Sequence, residues 1–133
     1  MHKGSCLCGK VQYELRGELG TGYYCHCKRC RKASGSAFGS NAMASAKDFV
    51  VTAGKESFKA YKAETGLARY FCAECGSPIM SVRDSAPDVL RIRLGTLDTP
   101  LEHKPQGHIF VGSMAEWDTI HDDLPQDPER PPT

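Results

Sequence analysis

Short stretches of alternating apolar and polar residues, separated by turns rich in glycine, run along most of the chain. Residues 10–15 alternate as a half-buried strand does, because successive strand side chains point to opposite faces of a sheet. Similar strand-like stretches recur at residues 37–44, 49–52, 57–62, 68–71, 79–83, 89–94 and 108–111. The pattern therefore predicts a mainly β protein.

Helical patterns are few and short. Residues 27–33 predict one helix, which ends before Gly35 because glycine readily adopts the conformation that terminates helices. Ser113 is placed to cap a second helix over residues 114–117, since its hydroxyl can accept from free amides of the first turn. Trp117 is expected in the core.

The length and the prolines predict the domain organisation. A chain of 133 residues is typical of one domain, and residues 1–125 are expected to form it. Residues 126–133 include Pro128, Pro131 and Pro132. Proline cannot donate a ladder hydrogen bond, so this segment is predicted to be a proline-rich, disordered tail.

Composition excludes several classes of protein. The chain is 40% hydrophobic and 25% charged, as globular proteins are, and its formal net charge is +1. Such a balance gives no indication of nucleic acid or a membrane surface as a partner. No apolar run reaches the length of a membrane-spanning helix, and the first residues lack the apolar stretch of a secretory signal. A cytoplasmic location is therefore expected.

Seven cysteines point to metal binding. An odd number cannot all pair within one chain, and a reducing compartment disfavours disulfides. The cysteines fall in three motifs: Cys6-Leu7-Cys8, Cys25-His26-Cys27-Lys28-Arg29-Cys30 and Cys72-Ala73-Glu74-Cys75. Spacing of this kind is typical of zinc ligands.

Cys6, Cys8, Cys72 and Cys75 are predicted to form a closed structural zinc site. Cys6 and Cys8 alternate along an extended segment and can face one ion, and Gly76 permits the turn that the second pair needs. Four thiolates complete a tetrahedral zinc. Such a site is worth ~10–16 kcal/mol in small zinc-folded peptides, as much as the ~5–15 kcal/mol that stabilises a whole domain.

Cys25, Cys27 and Cys30 are predicted to hold a second zinc. Three protein ligands with an exchangeable fourth position are the pattern of a catalytic zinc. His26 is expected to point away from the ion, although as a fourth ligand it would make this site structural too. A partition that mixes cysteines between the two sites is a further alternative.

Basic residues surround the second motif. Lys28, Arg29 and Arg31 are candidate substrate-binding residues, because zinc with three thiolates carries a net −1 and cations can also hold substrate carboxylates. The other interpretation is a solvated basic helix face. His108 is expected at a strand end or turn, outside the site.

The chain resembles the glutathione-dependent formaldehyde-activating enzyme (GFA) family, which has an Mss4-like fold and also includes a centromere-associated protein. The resemblance extends from Gly4 to Pro125. It is carried by residues 4–9, 24–32, 69–79, 95–98 and 105–110, by Trp117 and by residues 122–125.

This resemblance implies small antiparallel sheets held together by zinc, with one or two short helices. It implies two Zn²⁺ per chain, with a structural ion on Cys6, Cys8, Cys72 and Cys75 and a catalytic ion on Cys25, Cys27 and Cys30. The family's reaction is the reversible condensation of formaldehyde with glutathione to S-hydroxymethylglutathione. The chain is therefore predicted to be a carbon–sulfur lyase with a small thiol–aldehyde substrate.

Two other functions remain possible from the sequence. One is a non-enzymatic zinc-binding interaction module, which needs no exchangeable ligand. The other is a thiol-based redox or metal sensor, for which low-pKa thiolates near Lys28 and Arg29 would be suited. An open coordination position on the second zinc distinguishes the enzyme from the interaction module.

Overall fold

A computed structural model describes residues 1–130 of the chain. Ten strands and one α-helix within these residues confirm the mainly β prediction. The strands are β1 (His2–Ser5), β2 (Gln12–Leu15), β3 (Gly22–Cys25), β4 (Gly39–Ser45), β5 (Phe49–Ala53), β6 (Phe58–Lys62), β7 (Leu67–Cys72), β8 (Pro78–Arg83), β9 (Ala86–Arg93) and β10 (His108–Ile109). The helix α1 spans Lys28–Ser34.

The chain divides into two compact units. Unit 1 consists of Met1–Gly20 and Ala42–Glu102, and unit 2 consists of Thr21–Asn41 and the chain from His103 onward. Each unit draws on separated stretches of sequence, and β4 contributes residues to both. The single domain expected over residues 1–125 stays a prediction.

Unit 1 holds the main apolar core. A three-stranded antiparallel sheet has the order β1-β2-β5. The other strands that contribute to unit 1 are hydrogen-bonded in the order β4-β9-β8-β7-β6. Alternate residues of these strands turn inward, as the apolar–polar alternation predicts. Tyr13 and Leu15 from β2, Ile79 from β8 and Ile92 from β9 are fully buried there.

Unit 2 is built around a short parallel pairing. Strand β10 lies beside β3, with His108 opposite Tyr24 and Ile109 opposite Cys25. Helix α1 follows this pairing and ends at Gly35, whose φ of 65° is the left-handed cap that the sequence predicts. The N–H of His26 donates to the carbonyl of Ile109 at 2.9 Å and extends the pairing by one bond.

The end of the described chain corrects the prediction of a disordered tail for residues 126–129. The N–H of His108 donates to the carbonyl of Pro125 at 2.8 Å, and the N–H of Asp127 donates back to His108 at 2.9 Å. The N–H of Phe110 donates to Glu129 at 2.8 Å. Proline lacks a donor but keeps its carbonyl, which is the group used here. Residues 131–133, on which the same prediction falls, lie outside the described part.

The helix predicted over residues 114–117 is absent, and a 3-10 turn over Val111–Ser113 precedes this segment instead. Trp117 is 67% exposed, so its expected place in the core was wrong. No helix within residues 1–130 is both long and apolar enough to cross a membrane.

Candidate metal centres

The seven cysteines gather into two groups. Cys6, Cys8, Cys72 and Cys75 form one group in unit 1, and Cys25, Cys27 and Cys30 form the other in unit 2. Within each group, all Sγ atoms lie within 4.8 Å of one another, so each group can hold a metal ion. This is the predicted partition, and the mixed alternative is not what the chain forms.

Two tight turns present the four thiols of unit 1. Gly9 donates its N–H to the carbonyl of Cys6 at 3.1 Å, and Gly76 donates in the same way to Cys72 at 2.7 Å. Both glycines have a positive φ, 80° and 79°, which other residues rarely adopt. Cys6 and Cys8 thus lie in a turn after β1 rather than along the extended segment expected. The turn serves the same purpose, because both thiols face one point.

The sulfur spacing in this group matches a tetrahedral zinc. The Sγ atoms of Cys6 and Cys8 are 3.6 Å apart, and those of Cys8 and Cys72 are 3.9 Å apart. Zinc–sulfur bonds of about 2.3 Å in a tetrahedron place sulfurs about 3.8 Å apart. The N–H of Val11 also donates to the Sγ of Cys6 at 3.3 Å, as it would to a thiolate.

The protonation of these thiols indicates a need for a cation. The backbone amides of Cys8 and Ser77 lower the pKa of Cys75 to about 6. The amide of Lys10 favours the thiolate of Cys8, but burial and the neighbouring thiols raise the pKa of Cys8 to about 11. Four thiolates cannot form side by side unless a positive ion offsets their repulsion. A divalent metal would supply that charge.

Helix α1 organises the second group. Cys25 ends β3 and is buried, Cys27 is the N-cap of α1, and Cys30 lies in the first turn of the helix. The N–H of Cys30 donates to the Sγ of Cys27 at 3.3 Å. Capping a helix with a thiol aims the sulfur at free backbone amides, which stabilise a thiolate.

Cys27 is therefore the thiol of this group that ionises first. Hydrogen bonds from the side chains of Cys25 and Cys30, with the amides of Cys30 and Arg29, lower the pKa of Cys27 to about 2. Cys27 and Cys30 in turn raise the pKa of Cys25, because a second thiolate beside the first is unfavourable. Burial of Cys25 adds to the increase. As in the first group, full ionisation needs a cation.

No fourth donor from residues 1–130 joins this group. His26, the alternative ligand, is fully buried, and its Nε2 lies 2.8 Å from the Nδ1 of His108. Its Nδ1 has no hydrogen-bond partner within residues 1–130, but neither ring nitrogen joins the three sulfurs in a group within 4.8 Å. The second group thus presents three protein sulfurs, in contrast to four in unit 1.

His26 belongs to a chain of polar groups that ends at a carboxylate. The Nε2 of buried His108 lies 3.0 and 3.1 Å from the two carboxylate oxygens of Asp122. The hydrogen bond from His108 lowers the pKa of Asp122, which is ionised at neutral pH. An ionised carboxylate only accepts, so His108 donates from Nε2 and, when neutral, accepts at Nδ1 from His26. Burial and the charge of His108 lower the pKa of His26, which favours its neutral form.

Sequence reasoning missed this chain of groups. His108 was expected outside the site, and Asp122 was not singled out at all. Both residues lie in segments that carry the family resemblance, 105–110 and 122–125, which was the available signal. They are 14 positions apart in the sequence, so their contact is not visible in local spacing.

The predicted substrate-binding residues lie on α1. Lys28 and Arg29 are exposed at its start. Arg31 is partly buried, and its Nη1 donates to the carbonyl of Ser113 at 3.1 Å. All three therefore lie on the helix that carries Cys30, and of the three Lys28 and Arg29 are exposed.

Comparison with known proteins agrees with this geometry. A crystal structure of a Rhodobacter sphaeroides protein matches with a TM-score of 0.63 and 28% sequence identity, covering 75% of this chain and 91% of that one. No curated protein matches the chain. The sequence model of the family described as glutathione-dependent formaldehyde-activating enzyme matches residues 1–113. The chain, with its two cysteine groups in the positions that the resemblance indicates, belongs to that family.

Proposed function

We propose that the chain is a zinc-dependent carbon–sulfur lyase that acts on an aldehyde–thiol adduct such as S-hydroxymethylglutathione. The reaction is reversible, so the same site condenses formaldehyde with glutathione. Membership of a family described by glutathione and formaldehyde supports this class of reaction. Two Zn²⁺ per chain are proposed, a structural ion in unit 1 and a catalytic ion in unit 2. The cytoplasm suits the activity, because thiols stay reduced there.

The unequal number of thiols in the two groups carries the proposal. Structural zinc sites are closed by four protein ligands, whereas catalytic sites keep one position for water or substrate. The group in unit 1 has four sulfurs and the group in unit 2 has three. Since His26 is not part of the group in unit 2, the fourth position there is left to an external ligand.

Cys25, Cys27 and Cys30 are proposed to hold the catalytic ion. The amides at the start of α1 stabilise the thiolate of Cys27 and so prepare the group for a cation. Zn²⁺ bound there would ionise a substrate thiol and polarise an aldehyde oxygen. The donor set fits zinc, which favours thiolate and tetrahedral geometry.

Positioning is expected to contribute more to the rate than ionisation. A free thiol of pKa ~8.5 is only a few per cent ionised at pH 7, so complete ionisation gains about 30-fold, or ~2 kcal/mol. Holding the aldehyde beside the sulfur can contribute up to ~7–11 kcal/mol. The residues that hold the substrate therefore matter as much as those that hold the metal.

Lys28 and Arg29 are proposed to bind the carboxylates of the thiol substrate. Both are exposed beside the cysteine group, and their charges would also offset the net −1 of zinc with three thiolates. Arg31 is held at Ser113, so it would contribute through its remaining guanidinium nitrogens.

Cleavage of the adduct balances without a further reactant. The carbon–sulfur bond breaks and its electron pair stays on sulfur. The hydroxyl oxygen forms the carbonyl of the aldehyde, and the hydroxyl proton passes to water. In the reverse direction, the thiolate attacks the aldehyde carbon and the new alkoxide takes up a proton.

Replacement of Cys27 tests the proposal. Cys27→Ser is expected to keep the far-ultraviolet circular dichroism of the native chain while zinc content falls from two ions to one. Release of formaldehyde from S-hydroxymethylglutathione, above the spontaneous rate, should fall at least ~100-fold, since metal assistance is worth several kcal/mol. Cys8→Ser is the matched control, and it should instead lose the structural zinc and cooperative unfolding.

A folded, one-zinc Cys27→Ser protein with full lyase activity would exclude the proposed centre. If the native chain binds one zinc tightly and a cobalt-substituted sample shows no spectral change with thiol, the chain is an interaction module. If mild peroxide releases zinc reversibly and no lyase turnover is found, the chain is a sensor.

A further inference from the structure

Strands β6 to β9 of unit 1 concentrate positive charge. Together they carry six basic residues and one acidic residue, whereas the whole chain has 17 basic and 16 acidic residues. The basic residues are Lys59, Lys62, Arg69, Arg83, Arg91 and Arg93, and the acidic residue is Asp88. The near-neutral total charge of the chain conceals this concentration.

One row of side chains crosses the four strands on a single face. Tyr61 lies opposite Arg69, Arg69 opposite Ser81, and Ser81 opposite Arg91. Residues directly opposite each other in adjacent strands project to the same face of a sheet. Arg93 follows Arg91 by two residues and shares that face. Ser81 thus has an arginine opposite it on each neighbouring strand, and a third arginine lies two residues further along β9.

The single carboxylate of these strands lies outside the row. Asp88 is exposed in the irregular stretch of β9 between Ala86 and Leu90, where the strand register shifts. Lys62 directly follows Tyr61 in β6, so it projects to the opposite face of the sheet. Its Nζ forms an ion pair with Asp84 at 2.7 Å. The row formed by Tyr61, Arg69, Ser81 and Arg91 therefore contains no acidic residue.

Ser81 lies at the centre of the row and is only 2% exposed. The Nη1 of Arg93 donates to the Oγ of Ser81 at 3.2 Å and to the carbonyl of Arg91 at 3.3 Å. Arg91 and Arg93 also make further interactions. Because Ser81 accepts from Arg93, its own hydrogen is available to donate.

Arg69 supplies the observation that points to a ligand. Its Nε is buried and has no hydrogen-bond partner within residues 1–130. A buried donor left unpaired is unfavourable, and more so when it belongs to a charged group. An oxyanion would satisfy this donor. Guanidinium groups bind carboxylate and phosphate in matched, two-pronged geometry.

We propose that Arg69, Ser81, Arg91 and Arg93 form a binding site for one oxyanion group, a carboxylate or a phosphate, of a small molecule. The burial of Ser81 and of the Arg69 Nε favours a small anion, because a nucleic-acid strand needs an open face. The site consists of unit 1 residues alone and does not depend on the chemistry of the cysteine groups.

Calorimetric titration of the full, zinc-loaded chain tests the site. The probes are inorganic phosphate and succinate, each added at constant ionic strength against chloride so that general screening cancels. Both should bind the native chain. Arg69→Gln should weaken binding at least about tenfold, since one charge-assisted donor is lost. Arg16→Gln is the matched control, because Arg16 is an exposed arginine of unit 1 paired with Glu14, and it should bind as the native chain does.

Further variants keep the test decisive. Arg69→Lys keeps the charge but loses the planar donors, and it should bind with intermediate affinity. Ser81→Ala removes a single hydroxyl and should weaken binding about threefold or more. If Arg69→Gln fails to fold cooperatively, the affinity of Ser81→Ala tests the site in its place. Equal binding by Arg69→Gln and Arg16→Gln, or no binding of either anion to the native chain, would overturn the proposal.

Two competition experiments identify the occupant. Displacement of phosphate by glutathione would assign the site to a carboxylate of the thiol substrate, whereas independent binding would assign it to a separate anionic ligand; either result supports the site. A single-stranded oligonucleotide that binds more tightly than phosphate and is lost in Tyr61→Ala would replace the proposal with nucleic-acid binding.

Discussion

Tyr13 is the largest fully buried side chain among residues 1–130, and its hydroxyl is hydrogen-bonded. Its Oη lies 2.7 Å from the Oγ1 of Thr96, and that threonine donates its own hydrogen to the carbonyl of Arg93 at 2.8 Å. Thr96 can therefore only accept from Tyr13, so the phenol must keep its proton. Burial raises the pKa of Tyr13 to about 12, despite the hydrogen bond to Thr96.

The stability of the fold should consequently fall at high pH. An unfolded tyrosine ionises near pH 10, whereas folded Tyr13 does so near 12, so its contribution is complete below pH 10 and is lost as the pH rises through 12. Over that interval, the free energy of unfolding should decrease by about 2–3 kcal/mol. Urea unfolding between pH 8 and 11.5 measures it. Tyr13→Phe should remove this dependence, whereas Tyr61→Phe, at a 64% exposed tyrosine, should retain it. If the free energy of unfolding depends on pH in the same way in both variants, the loss of stability at high pH does not come from Tyr13.

At the scale of elements, the segment from Asp122 to Glu129 acts as a partner for β10. Asp122 accepts from the side chain of His108 and from the N–H of Leu124 at 3.0 Å, and backbone bonds continue to Glu129. Asp122→Ala should loosen this pairing, so amide hydrogen exchange at His108 and Phe110 should accelerate at least about tenfold. Exchange at Cys72 in unit 1 should not change.

The neighbouring residue provides the control for that experiment. Asp123 is also an exposed aspartate, so Asp123→Ala removes the same charge without removing the carboxylate that His108 contacts. Amide exchange followed by mass spectrometry reports both variants under one condition. If the two alanine variants exchange alike at β10, the segment is held by its backbone bonds alone and Asp122 has no special part.

Local patterns predicted those elements whose signal is local. The helix after Cys27 and its glycine end were predicted because capping and termination act within a few residues. Strands β1 and β3 were missed, since each has four residues and a glycine, and their pairing with distant strands defines them. Phe110 has a φ of 56°, a conformation that favours glycine, and no local rule predicts it. Phe110 and Val111 donate their N–H groups to Glu129 and Asp127, which are distant in sequence.

For the whole molecule, the spacing of the cysteines predicted the metal groups, whereas the net charge did not predict how charge is distributed over the strands. The three cysteines of unit 2 lie within six residues, so their sulfurs come together for local reasons. The group in unit 1 joins two pairs that are 64 residues apart, and it was predicted because a closed zinc site needs four ligands. The net charge of +1 indicated no anionic partner, yet the fold collects basic residues on β6 to β9 because their acidic counterparts lie on other segments. Such segregation depends on strand register, which the sequence alone did not determine.

The difference between the two metal groups should appear when metal is removed from the intact chain. Cys72 and Cys6 belong to the apolar core of unit 1, so loss of that ion leaves buried thiolates repelling one another. The three sulfurs of unit 2 form a smaller ligand set and lie beside exposed residues of α1. A chelator such as 4-(2-pyridylazo)resorcinol should therefore extract one zinc at least about tenfold faster than the other.

The fold should be lost only when the second, slowly released zinc is extracted. Circular dichroism should stay constant through the fast phase and fall in step with the slow phase, because a structural zinc contributes ~10–16 kcal/mol in small domains and a fold has only ~5–15 kcal/mol to lose. Cys27→Ser should lack the fast phase and retain the slow one, which assigns the phases to the groups. Release of both ions in a single phase, together with the fold, would mean that the two centres are equally closed, and an open fourth position in unit 2 could not then be maintained.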